Sequence, residues 1–474
     1  MQVMLILPEL VLIFTVLVLF AASLKKIKGG SLTSIALAGS FLTLVATIVG
    51  GTASGSLFVG AYQVDGLSQL IKFLLGGGLF LIFFMCRSLS GIEDEMHNEF
   101  YLFLSLSTLG LMMMSSAVEL LTILVCLEIS SYALYVVISF RRGAGRRTEV
   151  EAGIKYVLFG AAATGISLFG ISYIFGLTHS TYLVDIKTQL PGLLHHQPMA
   201  IIGMVLLLCS FFYKLAMFPM HAWTPDIYQG ASNETTTFIA TLPKIGAAAL
   251  LIRLVGMSGA GVTQFTWVLV VLAVLSMTYG NLAALVQNDI KRLLAYSSIA
   301  HAGYMMIGLL SGNKLGMAAV IYYIAGYVLM NLACFLVIYY IAPRGENITF
   351  DDLKGLYRRS PVLAFTLAAG AFGMAGIPPT VGFTGKFVIF TAALEKGFYG
   401  LVVIAMVNAA VSAFYYLKLA RAVYCQGEEG EVERLQIGFG VKIFGVFLIL
   451  AIVLVGIMPQ GLMQMADQAV AALL

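Results

Sequence analysis

Apolar runs of membrane-spanning length follow one another along the whole chain, and this repetition limits what the chain can become. A run of about 20 apolar residues matches the thickness of a bilayer core when wound as an α-helix. Inside that layer every backbone amide and carbonyl must be satisfied within the protein, which a helix does within itself. No mixed, charged stretch between the runs reaches the size of a soluble domain. Charged residues make up 11% of the 474 and hydrophobic ones 60%, whereas soluble domains carry roughly a quarter charged. The first run, Met4 to Leu24, has no basic stretch before it and no cleavage site after it, so it reads as a retained span.

Division of the sequence at about 20 residues per span gives fourteen segments. The basic residues test that count. Lys25, Lys26, Lys28, Arg87, Arg141, Arg142, Arg146, Arg147, Lys291, Arg292, Arg344, Lys354, Arg358, Arg359, Lys418, Arg421, Arg434 and Lys442 fall in odd-numbered loops. Lys72, Lys187, Arg253, Lys314 and Lys396 fall in even-numbered loops or adjoining helix ends. By the positive-inside rule the odd loops are cytoplasmic and both termini lie on the other side, as expected for a multi-pass protein of the cell (inner) membrane.

Two segments are interrupted. The seventh breaks at Phe218-Pro219-Met220 and continues into a polar stretch, and the twelfth breaks at Pro378-Pro379 within GMAGIPPTVGFTGKF. Proline in a helix interior frees carbonyls that neighbours or water must satisfy. The breaks lie five segments apart, and five is odd. Segments four to eight and nine to thirteen therefore read as two inverted five-helix repeats. The expected organisation is a three-helix segment at 1–98, a first repeat at 99–255, a second at 256–424 and a C-terminal helix at 425–474. The fold class is all-α polytopic, with about fourteen transmembrane helices, two of them broken.

Ionisable residues inside spans are costly, and are functional-site hypotheses by default. Five stand out: Glu128 in the fifth segment, Lys214 before the first break, Lys244 in the eighth, His301 in the tenth and Lys386 after the second break. Singly, a lysine can snorkel to the interface and a histidine can be a satisfied core residue. Together, spread evenly with few acids among them, they read as a proton relay. Glu119 reads as interfacial, and Glu151 and Lys155 as an i, i+4 ion pair on one helix face. Glu234, at the start of the eighth segment, reads as a helix cap or a channel entry. The five cysteines, Cys86, Cys126, Cys209, Cys334 and Cys425, form no CxxC pair and no Cys/His cluster with metal spacing. No metal or redox cofactor is expected in this chain.

Three stretches, KLAMFPMHAWTPDIYQGA from Lys214, NDIKRLLAYSSIAHAGY from Asn288 and GMAGIPPTVGFTGKF from Gly373, carry a specific resemblance. They resemble the antiporter-like membrane subunits of proton-pumping NADH:quinone oxidoreductase (respiratory complex I), and within that group the N-type. The likeness covers nearly the whole chain. It implies a proton-translocating membrane-arm subunit of a respiratory-chain translocase, with no redox chemistry of its own. NADH, FMN, iron–sulfur clusters and quinone would belong to partner subunits. The implied partners are L- and M-type antiporter-like subunits, small membrane subunits and the lipid bilayer, with no nucleic acid. The family's proton-path positions fall on Glu128, Lys214, Lys244 and Lys386, and its central histidine on His301. The reading expects Glu128 and Lys214 to form a buried ion pair. After Gln229-Gly230-Ala231 the family usually continues with proline and small apolar residues, whereas this chain has Ser232-Asn233-Glu234. The competing reading is a subunit of a multisubunit sodium/proton antiporter or of a membrane-bound hydrogenase-type complex.

Overall fold

A computed structural model describes the backbone of residues 2–143, 146–258, 263–425 and 435–471. After a four-residue helical turn (Gln2–Leu5) come three long helices: α1 (Leu7–Leu24), α2 (Gly30–Gly50) and α3 (Gly66–Met85). A small antiparallel hairpin, β1 (Gly55–Leu57) and β2 (Tyr62–Val64), joins the last two, with Ser56 opposite Gln63. Next come α4 (His97–Ser116), α5 (Leu120–Val137), α6 (Arg146–Thr178), the short α7 (Leu183–His196), α8 (Pro198–Leu215), the short α9 (Thr224–Gly230) and α10 (Asn233–Gly256). The second half holds α11 (Gln264–Leu285), α12 (Ile290–Leu310), α13 (Lys314–Ile341), α14 (Pro361–Ala375), α15 (Val381–Glu395) and α16 (Tyr399–Tyr424). The chain then runs through α17 (Phe439–Ile457) and α18 (Gln460–Ala471), so two helices stand where one was expected.

Among the described residues, 12 helices are long and apolar enough to cross a membrane. Two more crossings complete the fourteen expected: α4, which is richer in serine, and the broken pair α14 and α15. Helix starts follow local chemistry. Asp65 and Thr263 each form a capping box with a hydroxyl three residues on, and Glu119, Ser232, Asp289 and Asn313 cap α5, α10, α12 and α13. Glu119, expected at the interface, caps the start of the spanning helix α5. The tight link between α4 and α5 is pinned by single bridges from Ala117 to Tyr62 and from Glu119 to Tyr182.

The two five-helix units repeat one packing scheme. In each, the first helix lies along the second, the third along the broken fourth, and the fifth returns to the first. Burial is graded across the molecule. Helix α10 is buried from Asn233 to Val255, and α12 and α13 nearly so, whereas α1, α2 and α17 turn most of their surface outward. Phe14, Leu17 and Phe20 on α1 are exposed, as suits a face that meets lipid. The core of the bundle is thus the contact of α10 with α13 and α12, where the two units meet.

Candidate proton path

Both breaks are built the same way. Helix α8 ends at Leu215 because Ala216 turns left-handed (φ 63°), with the amides of Ala216 and Met217 bonded back to Tyr213 and Phe212 at 3.0 and 2.8 Å. Helix α14 ends at Ala375 because Gly376 does the same (φ 83°), with the amides of Gly376 and Ile377 bonded to Gly373 and Phe372, each at 3.0 Å. These are left-handed C-caps, which satisfy some of the terminal carbonyls and leave others open. Each cap is followed by a cis proline bond, Phe218–Pro219 and Pro378–Pro379.

The open carbonyls end up deep in the protein, and lysines answer them. Lys244 of α10, fully buried, donates to the Leu215 carbonyl at 3.3 Å and also contacts the Ser298 hydroxyl. Lys386 of α15 donates to the Met374 and Ala375 carbonyls at 2.9 and 3.1 Å. A cation suits this place because carbonyl partial charges and the helix dipole make a helix C-terminus negative.

His301 of α12 sits between the two lysines. Its Nδ1 shares a hydrogen bond with the Tyr323 hydroxyl at 2.6 Å, and its Nε2 shares one with Tyr416 at 2.9 Å. Tyr416 in turn bonds Ser297. The Lys244 ammonium lies 5.6 Å from the centre of the Tyr327 ring, whose centre is 5.2 Å from the His301 ring. On the other side the Lys386 ammonium lies 4.9 Å from the centre of the Tyr304 ring, 6.1 Å from His301. Lys244, His301 and Lys386, from three helices, are thus linked through the rings of buried tyrosines, with the Tyr323 and Tyr416 hydroxyls bonded to the histidine.

Glu128 and Lys214 stand apart from the expectation. They make no ion pair in this structure. The half-buried Glu128 accepts instead from the Thr164 hydroxyl of α6. Lys214 is 1% exposed, and its ammonium has no hydrogen-bond partner among the described residues, although Glu128 is the acid whose charge reaches it. The reason for the separation is local: α5 and α6 pack side by side, so a hydroxyl on the adjacent helix meets the carboxylate first.

The structure also gives buried acidic partners to two cations that the span count places in loops or at helix ends. Lys72 belongs to the buried face of α3, where it pairs with Glu9 of α1 at 2.8 Å, and Tyr62 donates to the same carboxylate at 2.6 Å. Arg253 pairs with Asp65 at 2.8 Å in a second buried contact. Arg253 lies in the last turn of α10, a helix-end charge as expected, whereas Lys72 lies inside α3. The anomaly visible beforehand was Glu9, an acid inside the first apolar run. Asp226 at the start of α9 binds Lys155 at 2.6 Å and Arg292 at 2.9 Å, and Lys155 also holds Glu151 at 2.8 Å, the expected i, i+4 pair. Partial burial works against the Asp226 charge, but the hydrogen bonds and charges of Lys155 and Arg292 outweigh it and hold its carboxyl below the usual range. Among the described residues no group of three or more His, Cys, Asp or Glu is placed to hold a metal ion.

Residues 117–412 match a family model described as the transmembrane part of NADH:quinone oxidoreductase and Mrp antiporters. NADH-quinone oxidoreductase subunit N 2 of Opitutus terrae is 43% identical over 96% of this chain and 95% of its own length. The subunit of the same name from Syntrophobacter fumaroxidans is 44% identical over 93% of this chain and 92% of its own. A chain of Thermus thermophilus respiratory complex I with bound aureothin superposes with a TM-score of 0.84 at 32% identity, covering 96% of this chain and 98% of that one. A chain of the Mrp complex from Dietzia shares the fold, with a TM-score of 0.86 at 20% identity, over 100% of this chain and 98% of that one. On identity carried over nearly its full length, this chain belongs to the subunit N family of NADH-quinone oxidoreductase.

Proposed function

We propose that the chain translocates protons across the cell membrane as an antiporter-like membrane-arm subunit of a redox-driven NADH:quinone oxidoreductase. One observation carries this reading: a buried line of Lys244, His301 and Lys386, joined through tyrosines, between two helix breaks. The electron-carrying groups (NADH, FMN, iron–sulfur clusters and quinone) belong to partner subunits. L- and M-type subunits are its membrane-arm neighbours. With the basic loops on the cytoplasmic side, both termini face outward.

The mechanism is electrostatic. Cations buried without anions are costly, so a proton on one lysine of the line disfavours a proton on the next. Glu128 acts on Lys214 from beyond hydrogen-bond distance. Movement of the two together would hold a proton on Lys214, and their separation would release it toward Lys244 and His301. Lys386 follows as the last group before the outer face. A sodium path would favour hard oxygen ligands, and the centre of this line is lysine and histidine.

The test is proton transport by the intact complex in sealed vesicles, with sodium omitted. Transport driven by electron flow is expected in the wild type, and its loss in Lys244→Met. Transport that needs sodium would support the antiporter reading, and normal transport in Lys244→Met would overturn the proposed path.

A further inference from the structure

At the start of α10, Glu234 is fully buried. One carboxylate oxygen accepts the amide N–H of Gly91 at 3.0 Å, and the other, equally buried, has no hydrogen-bond partner among the described residues. The fit against Gly91 is close: a Cβ there would lie 2.6 Å from that second oxygen. Gly91 is itself the inner edge of a surface loop, since its carbonyl accepts from Arg142 and Glu93, Asp94 and Glu95 just after it are exposed. Lys291, buried as well, donates to the Ala231 carbonyl at 3.1 Å just before α10, near enough for its charge to act on Glu234.

An acid buried beneath a surface loop, with one oxygen unpaired, calls for a role. Its place on α10 supplies one. Glu234, Thr237, Thr241 and Lys244 are spaced three, four and three residues apart, which puts them on one face of the helix. Thr237 and Thr241 are fully buried, and each hydroxyl donates to the backbone four residues back, to Asn233 and Thr237 at 2.7 Å. Their oxygen lone pairs remain free to accept. At 1.5 Å rise per residue the stripe covers about 15 Å of helix, in axial steps of about 4.5–6 Å from one polar residue to the next. Helical side chains lean toward the N-terminus, so Glu234 leans toward the loop side, where Gly91 binds it, while the Lys244 ammonium reaches Leu215 and Ser298.

We infer that Glu234 is the proton-entry group of the first repeat, receiving protons from the side of the basic loops and passing them along Thr237 and Thr241 to Lys244. In each cycle the carboxylate takes one proton from water at the loop, becomes the neutral acid, and gives that proton up as the Lys244 amine becomes ammonium. Glu234 then returns to carboxylate, with the Gly91 amide and the Lys291 charge stabilising it. This rests on the proposed function and adds a residue to it.

The test uses the intact complex carrying variants of this chain, in liposomes, with proton uptake read per electron transferred. Glu234→Gln keeps the shape and can keep the Gly91 hydrogen bond, but cannot titrate. It is expected to slow uptake by about a hundredfold or more, the scale of losing a positioned proton donor, approaching the loss in Lys244→Met. Glu234→Asp keeps a titratable group and is expected to restore part of the rate. Normal uptake in Glu234→Gln, or equal losses in the Gln and Asp variants, would overturn the inference. If Glu234→Gln prevents assembly, Thr241→Val decides in its place, and a normal rate there overturns it. Normal uptake in Lys244→Met would instead remove the proposed function on which the inference stands.

Discussion

The two helix breaks share a backbone and differ in what answers it. Ala216 and Pro219 in the first match Gly376 and Pro379 in the second at one constant offset, since 376 − 216 and 379 − 219 are both 160. Leu215 and Ala375, the last helical residues, match at the same offset. At the second break the cation comes from the same broken span: Lys386 sits on α15 and binds two carbonyls. At the first it comes from another helix: Lys244 sits on α10 and binds one carbonyl, with Ser298 as a second partner. The first break also holds an extra lysine, Lys214, with no hydrogen-bond partner among the described residues. A repeat can thus preserve the hole in the helix while changing which side chain fills it. The two ends of the line differ accordingly: the Lys386 end is held within its own span, and the Lys244 end depends on three helices staying in register.

Removal of either lysine is the strongest way to test that difference. Lys386→Met and Lys244→Met should both abolish proton transport by this chain. They should differ in stability, because a buried polar group left unpaired costs about 1–3 kcal/mol and Lys386 serves two carbonyls. A lower thermal midpoint for Lys386→Met than for Lys244→Met in detergent is expected, and the reverse order would break the comparison. Next in size is the extra lysine. Glu128→Gln and Lys214→Met should each cut transport, and the double variant should be little worse than either single, because the two residues act as one unit. Strictly additive losses would show that their separation in the structure is permanent.

Smaller effects test the caps. Gly376→Ala places a Cβ in the left-handed region and 3.1 Å from the Lys386 chain, a cost of about 1–2 kcal/mol from backbone strain alone. Ala216→Gly at the matching position should be neutral or stabilising. Opposite shifts in the thermal midpoint are expected, and shifts of the same sign would mean the two caps are not equivalent. The smallest effect concerns Asp226. Its carboxyl is held below the usual range, so its stabilising contribution is present above about pH 4, the unfolded Asp value, and fades as pH falls below that. For a partly exposed network the contribution is at most about 1 kcal/mol. Asp226→Asn should lower stability slightly at neutral pH and leave it unchanged at strongly acidic pH, as read by thermal melts across that range.

Much of this molecule is legible one residue at a time. Run length and apolarity determine that the chain spans a membrane, because lipid offers the backbone no partners. Prolines 219, 378 and 379 mark both breaks, because proline cannot continue a helical ladder. Isolated charges in apolar runs mark Lys244, His301 and Lys386, because burial of charge is costly wherever it occurs. Which charges meet is a different kind of fact. Lys72 reads as a helix-end cation until Glu9, from two helices earlier, is seen beside it. Glu128 and Lys214 read as a pair until Thr164 is found on the carboxylate. Glu234 reads as a cap or a channel entry until Ser232 is seen to do the capping and Gly91 to bind the acid. Hydrophobicity and helix propensity are properties of single stretches, so the sequence alone determined the spans, the breaks and the candidate charges. Hydrogen bonds and ion pairs act only within about 3–4 Å, so only the packing of one helix on another decided which partner each buried charge received.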